Sequence, residues 1–361
     1  MAPKKIGIIG CGDISGIYLS NLIRVFRNTR VAACACRTFE HAAAKAAEFG
    51  IRACSIEELL QNPEIELVIN LTTPKAHYSV SDAILSAGKH LYTEKPLATT
   101  RDEGKALLKK ARERNLMIGS APDTILGAGI QTCRKLIEDG WIGKPIAAAA
   151  FMMSHGTESW HPNPEFYYQI GGGPMFDMGP YYLTTLVNLI GPVKKVSAFT
   201  SITFPQREIT TEKNYGKLID VEVPTHVAGL LEFHSGAVGT LITSFDVWGA
   251  QLPRIEIYGT EGTISVPDPN TFGGPVRLKR KNHPDFSDIP LSHPYAENSR
   301  GLGVAEMIHA LETNRINRVN GELSYHVLDI MHGFHDSANT GRHISLESTC
   351  QKPDPMPVMT L

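Results

Sequence analysis

Strand-like and helix-like segments alternate through roughly the first 120 residues, and nothing else in the sequence narrows the possible folds so far. Residues 5–10 are short and continuously apolar, as a strand buried on both faces of a parallel sheet must be. Ile17, Leu19, Leu22, Ile23 and Phe26 mark a helix behind it, and residues 31–36 form the next apolar run. Residues 39–49 are alanine-rich and meet a helix stop at Gly50. Ser55-Ile56-Glu57-Glu58 and Thr100-Arg101-Asp102-Glu103 open helices with a hydroxyl followed three residues later by a carboxylate. Strands over 66–71, 90–93 and 116–120, with helices over 76–87 and 101–114, complete the alternation. This spacing predicts an α/β fold with a doubly wound parallel sheet over residues 1–121.

The texture changes after Ala121-Pro122. Helices are expected over 130–139 and 181–189. Residues 227–233 and 238–245 flank His234-Ser235-Gly236, and 255–258 and 263–266 flank Gly259-Thr260-Glu261-Gly262, which reads as two hairpins. A Pro-, Gly- and Asn-rich stretch over 267–300 reads as a loop, and 302–311 and 325–337 as closing helices. Residues 122–361 are therefore expected to form an α+β domain on a large, mostly antiparallel sheet. A chain of 361 residues has room for two such domains.

Charge excludes several partner classes. Thirty-five basic against 37 acidic residues leave a net charge of −2, with no footprint for nucleic acid or an anionic membrane. No apolar run nears the length of a membrane span, and Met1-Ala2-Pro3-Lys4-Lys5 shows no cleavable signal pattern, so a cytoplasmic setting is expected. Cysteines 11, 34, 36, 54, 133 and 350 contain no Cys-x-x-Cys pair. They read as structural thiols, with Cys34 and Cys36 adjacent on one strand face and buried.

Three motifs carry chemistry. Gly10-Cys11-Gly12-Asp13-Ile14-Ser15 lies between a strand and a helix, where glycines let backbone amides approach a pyrophosphate. Glycines also simply end strands, and Ser15 replaces the usual third glycine. At the end of the second strand stand Cys36-Arg37-Thr38 rather than the carboxylate that would hold a ribose 2′-hydroxyl. Arg37 and Thr38 suit a 2′-phosphate, which favours NADP; a solvated arginine beside NAD is the alternative. Glu94-Lys95-Pro96 follows the fifth strand, where a lysine faces ligands bound beyond the sheet. Without that context it would be a surface turn. Gly171-Gly172-Gly173 leads to Asp177 and Tyr181, spaced i and i+4 on one face of a helical turn. Their plainer reading is a helix cap and a packing residue.

Taken with Thr72-Thr73-Pro74 and His77, these motifs resemble the Gfo/Idh/MocA oxidoreductases along essentially the whole chain. The resemblance implies hydride transfer between NAD(P) and a secondary alcohol or carbonyl of a sugar, polyol or glycoside. It implies a Rossmann domain, and a C-terminal domain whose open sheet often makes subunit contacts, hence a homodimer or homotetramer. By position Lys95 and Asp177 match the family's active-site Lys and Asp. Tyr181 stands where many members have His, as in the branch of glucose–fructose oxidoreductase and dihydrodiol dehydrogenase that uses Tyr as acid/base. Lys95 beside it would favour the phenolate. Gly10, Gly12, Asp13, Ile14, Arg37, Thr38, Thr72, Thr73, Pro74, His77, Glu94 and Lys95 are the cofactor-binding candidates. Lys75 stands where the family often has Asn. Asp123, Trp160, His161, Lys95, Asp177 and Tyr181 are the substrate candidates, with Thr124 beside Asp123.

Glu306 with His309, and Asp329, His332 and His335 at helical spacing, match no zinc spacing, so no metal site is assigned. Arg277, Lys279, Arg280 and Lys281 read as a solvated face, with Arg277 and Lys279 able to share one side of a strand. Two further readings stay open: a cofactor-binding regulator without turnover, and an enzyme whose nicotinamide stays bound and is recycled internally.

Overall fold

A computed structural model describes residues 3–358; Met1 and Ala2, which open the signal-free N-terminal stretch, lie outside the described residues. The first half runs β1 (Lys4–Ile9), α1 (Ser15–Arg24), β2 (Thr29–Ala35), α2 (Phe39–Phe49), β3 (Arg52–Ala53), α3 (Ile56–Gln61), β4 (Leu67–Asn70), α4 (Pro74–Ser86), β5 (His90–Thr93), α5 (Arg101–Glu113) and β6 (Ile118–Ser120). Its six strands are all parallel in the order β3-β2-β1-β4-β5-β6, so the chain reverses direction across the sheet between β1 and β4. That switch point opens a crevice at the C-terminal strand ends. Both capping boxes form: Ser55 Oγ accepts from Glu58 N at 3.1 Å while Glu58 Oε2 accepts from Ser55 N at 2.8 Å, and Thr100 pairs with Glu103 likewise. Gly50 ends α2 in the left-handed region. Phe26 falls beyond α1 and packs in the core, and the two-residue β3 was not expected.

The second half runs α6 (Ala128–Glu138), β7 (Pro145–Met153), α7 (Gly173–Asp177), α8 (Gly179–Ile190), β8 (Val193–Ser201), β9 (Gln206–Glu208), β10 (Leu218–Asp220), β11 (His226–Phe233) and β12 (Val238–Ser244). It closes with β13 (Ile255–Gly259), β14 (Gly262–Val266), β15 (Val276–Arg280), β16 (Ser287–Ile289), α9 (Leu302–Glu312), α10 (Gly321–Thr340) and β17 (Ile344–Ser345). Nine strands pair in the order β16-β15-β14-β13-β7-β12-β11-β8-β17. All pairs are antiparallel except β7–β12, and β9–β10 form a separate ribbon. Both expected hairpins are present.

One expectation fails here, and one strand was not foreseen. Residues 267–300 are not all loop, because β15 and β16 pair within them. Arg277, Lys279 and Arg280 of the basic run lie on β15 and Lys281 just beyond it. Arg277, Arg280 and Lys281 are exposed, as a solvated face requires, with Leu278 buried, Arg277 paired with Asp288 at 2.9 Å and Arg280 over the Trp141 ring. Strand β7 hides in Pro-Ile-Ala-Ala-Ala-Ala, a composition with poor strand propensity.

Helices α7, α8 and α10 cover one face of this sheet. Gly229 on β11 permits it, since a Cβ there would meet Phe334 of α10 at 2.6 Å and collide with the Ser197 carbonyl. Helix α10 also packs on α5 and β6, and Arg101 at the start of α5 reaches Asp329 and Asp336 of α10, each at 2.6 Å. No described helix covers the opposite face over β8, β11, β12 and β7. Phe199, Ala228, Ile242 and Phe151 stand side by side across four strands there, with Phe199 83% exposed.

The His-rich helix faces are committed to structure. Asp329 is held by Arg101 and Ser348, and Glu306 is buried between Arg315 and Arg318. His332 Nε2 sits 3.1 Å from the Thr99 carbonyl. No described group of three His, Cys, Asp or Glu side chains is placed to hold a metal ion. All six cysteines are free; Cys34 is fully buried, but Cys36 is only half-buried at the strand end.

Candidate active site

A cleft of about 460 Å³ opens where the C-terminal ends of the parallel strands face the helix-covered side of the second sheet. Lys95 enters it from the loop after β5. Its Nζ donates to Asp177 Oδ1 at 2.8 Å and to the Asp177 carbonyl at 2.7 Å, so the lysine also caps the end of α7. An ammonium has three donors, and this arrangement leaves one for a ligand oxygen. Nζ lies 5.3 Å from the centre of the Tyr181 ring. Asp177 and Tyr181 do not share a helical turn as the i, i+4 spacing suggests. Asp177 is the last residue of α7, Met178 forms the joint, and Tyr181 lies in the first turn of α8. The joint, not a straight helix, turns both side chains into the cleft.

Opposing effects set the charge states. Burial disfavours the Lys95 ammonium, but Asp177, Tyr181 and Glu94 outweigh it and hold the lysine above its usual range. Burial pushes the Tyr181 phenol above its ordinary value; Lys95 and Arg300 pull it back, and Glu94 adds to the rise. The help expected from Lys95 is therefore present in sign and outweighed in size. Arg300 lies close enough to the Tyr181 side chain to favour its phenolate, giving the phenol a second cation. Asn270 Oδ1 and Asn298 Oδ1 hold that guanidinium, each at 2.7 Å. Nothing local marks Arg300: it ends a stretch that reads as loop and meets a tyrosine from another helix.

The remaining motif residues form the floor. Glu94 accepts from Tyr18 Oη at 2.8 Å and from Lys95 N at 3.0 Å, which fixes the loop carrying the lysine. His77 is buried, with its ring nitrogens 2.7 Å from Pro96 O and 2.8 Å from Thr72 O. It braces the two loops against each other, and burial keeps its pKa low. Thr72, Pro74 and Ile14 line the cleft, and Thr73 begins α4 without a side-chain cap. Lys75 donates to Gln169 Oε1 at 3.1 Å.

The glycine turn fits a dinucleotide. Gly10 has φ +110°, and a Cβ there would meet Leu71 C at 2.5 Å, so only glycine fits. A Cβ on Gly12 would meet nothing within 4 Å, leaving open space beside the turn. No side chain caps the N-terminus of α1, where Ser15 N and Gly16 N donate to Gly12 O at 3.0 Å and to Asp13 O at 3.4 Å. Ser15 is accommodated because its Oγ donates to Gly12 O at 2.5 Å. Asp13, Arg37 and Thr38 are exposed around this turn and the end of β2.

Three substrate candidates behave differently from one another. Trp160 is 62% exposed and lines the cleft, with Nε1 donating to Gly156 O. His161 lies outside the cleft lining; its Nδ1 accepts from Asn163 N, and its ring packs against Phe166 and Tyr167. Asp123 does not reach the cleft and is buried with Thr124. Its carboxylate accepts from Gly301 N at 2.9 Å and Gly303 N at 3.0 Å, capping α9. Burial pushes that carboxyl up to about 6 against those two amides. Tyr167, which no motif singles out, supplies part of the cleft wall.

Comparison with known proteins extends this picture. Residues 4–121 match the family description "Oxidoreductase family, NAD-binding Rossmann fold", and residues 130–265 match "GFO/IDH/MocA C-terminal domain". The 1,5-anhydro-D-fructose reductase of Ensifer adhaerens is 29% identical over 270 residues, 72% of this chain and 75% of the relative. The levoglucosan dehydrogenase of Pseudarthrobacter phenanthrenivorans is 27% identical over 244 residues, 62% of each chain. A solved levoglucosan dehydrogenase in complex with NADH and L-sorbose superposes with a TM-score of 0.83 at 21% identity, covering 96% of this chain and all of that one. An NAD-binding oxidoreductase from Klebsiella pneumoniae superposes equally well, 0.83 at 20% identity, covering 96% of this chain and 99% of that one.

Proposed function

The chain belongs to the Gfo/Idh/MocA oxidoreductase family, and from that premise we propose that it reacts NAD(P), with NADP preferred, at a secondary alcohol or carbonyl of a sugar, polyol or glycoside. The observation that carries this reading is the joining of Lys95, Asp177 and Tyr181 in one cleft at the strand ends of a dinucleotide-type sheet. When bound, the nicotinamide supplies the two-electron acceptor or donor. Gly10, Gly12, Asp13 and Ile14 would hold the pyrophosphate at α1, with Thr72, Thr73 and Pro74 along the same crevice. Arg37 and Thr38 would read the 2′-phosphate.

Tyr181 keeps its proton at neutral pH because burial holds its pKa up. It therefore donates to a substrate carbonyl in the reducing direction, and must ionise before it can accept the hydroxyl proton of an alcohol. The free donor of Lys95 holds the same substrate oxygen, and Asp177 keeps Lys95 charged and aimed. Trp160 offers a ring face to a sugar at the cleft mouth. We place the protein in the cytoplasm as a homodimer or homotetramer associating through the uncovered sheet face. No described helix is long and apolar enough to cross a membrane.

Calorimetric titration of the cofactor-free protein with NADP⁺ and NAD⁺ side by side tests the reading. NADP⁺ should bind more tightly. Arg37→Ser should weaken NADP⁺ about tenfold or more, the loss of a charge-assisted hydrogen bond, and leave NAD⁺ unchanged. Tighter NAD⁺ binding overturns the NADP preference, and binding of neither overturns the proposed reaction.

A further inference from the structure

A second cavity of about 470 Å³ lies immediately beyond the cleft, and Gly156 lines both. Gly156 has no side chain to divide them, and it could not carry one: its φ is +90°, and a Cβ there would collide with the Tyr168 hydroxyl. The two spaces meet around the end of β7, where Ser154 lines the cleft and His155 lines the second cavity.

The walls of this second cavity have the chemistry of a saccharide subsite. Trp248 is 84% exposed and stacks on His155 at 3.4 Å with 16° between the rings, so its outer face is open to solvent. Phe204 meets His155 edge-on at 6.0 Å. Flat apolar faces of this kind suit the C–H face of a pyranose, while hydroxyls at its rim need fixed polar partners. Arg207 stands in the same wall. Its side chain is 4% exposed and anchored to Glu158 and Asp246, yet its Nε is buried without a partner, as is His155 Nδ1. Gln206 and Glu208 add an amide and a carboxylate to the same lining.

We propose that this cavity binds the second sugar ring of a glycoside whose first ring reacts beside Tyr181. The inference rests on the sugar-oxidoreductase reading and narrows it. A cleft of 460 Å³ must take both the nicotinamide end of the cofactor and the reacting ring, so a further ring has to pass Gly156 and rest on Trp248.

The test compares glucose with cellobiose and maltose on the full-length protein, by calorimetry with NADP⁺ present and by turnover. At least one disaccharide should bind about tenfold tighter than glucose, Trp248→Ala should abolish that advantage without changing glucose binding, and Trp248→Phe should restore part of it. Equal affinity for glucose and both disaccharides, or an advantage that survives Trp248→Ala, overturns the subsite. A Trp248→Ala protein that changes its sedimentation coefficient and keeps its sugar affinities also overturns it, making the aromatic patch an interface between copies. Binding and turnover separate the two claims: disaccharide binding that depends on Trp248 without turnover upholds the subsite and removes the reaction, and glucose turnover without a disaccharide advantage does the reverse.

Discussion

The six-stranded sheet is closed on both faces by helices and offers a ligand only its strand ends, whereas the nine-stranded sheet buries one face and leaves the other to solvent. The strand ends present backbone: an uncapped helix terminus, a left-handed glycine and a short loop carrying Lys95. The covered face of the second sheet presents ionisable side chains on α7 and α8, aimed by the joint at Met178. The open face presents an apolar row suited to another copy of the chain. On the proposed function, grip on the cofactor, proton handling and association fall to three separate surfaces, and single substitutions should move one without the others.

Tyr181→Phe breaks the comparison most severely if it is wrong. Turnover should fall by about 10²–10⁴-fold while dinucleotide affinity holds if, as proposed, the phenol serves proton transfer alone. A parallel loss of cofactor affinity, measured by calorimetry, would mean the two surfaces are not independent. Arg300→Met has a smaller effect and a definite sign. Removing a cation that pulls the Tyr181 pKa down should carry the alkaline limb of alcohol oxidation to higher pH, so oxidation slows at a fixed pH below that limb. Carbonyl reduction at neutral pH needs the protonated phenol and should hardly change, so a pH–rate profile in both directions checks the claim. Phe199→Glu should alter chemistry least. Sedimentation should show a monomer, with turnover per site kept within about twofold, because Phe199 lies on the face away from the cleft.

How much of this the sequence discloses depends on how local each cause is. Gly50, the capping boxes at Ser55 and Thr100, and both hairpins are set by residues a few positions apart, and they form where expected. The Lys95 and Asp177 motifs are short as well, and the structure joins them at 2.8 Å. Strand β7 escapes because its alanines are chosen by what packs on them, with Ala148 and Ala150 buried at the centre of the sheet. Asp123 misleads for a related reason. A carboxylate after the last parallel strand looks ligand-facing, but α9, arriving from far along the chain, brings two free amides and claims it. Arg300 and Tyr181 are likewise partners only in three dimensions.

The return of α9 and α10 to the first sheet has a consequence for how the chain is made. Strand β6 finishes at Ser120, yet its outer edge is closed by Ser120 N donating to Val319 O at 2.9 Å and by a bridge from Gly119 to Asn320. On a ribosome, the N-terminal half would emerge long before the segment that seals it. Until release, that half carries an unpaired strand edge and the apolar surface that α10 later covers, the features that invite pairing with other nascent chains. Truncation before residue 317 should therefore yield not a smaller working domain but one that depends on chaperones to stay out of aggregates.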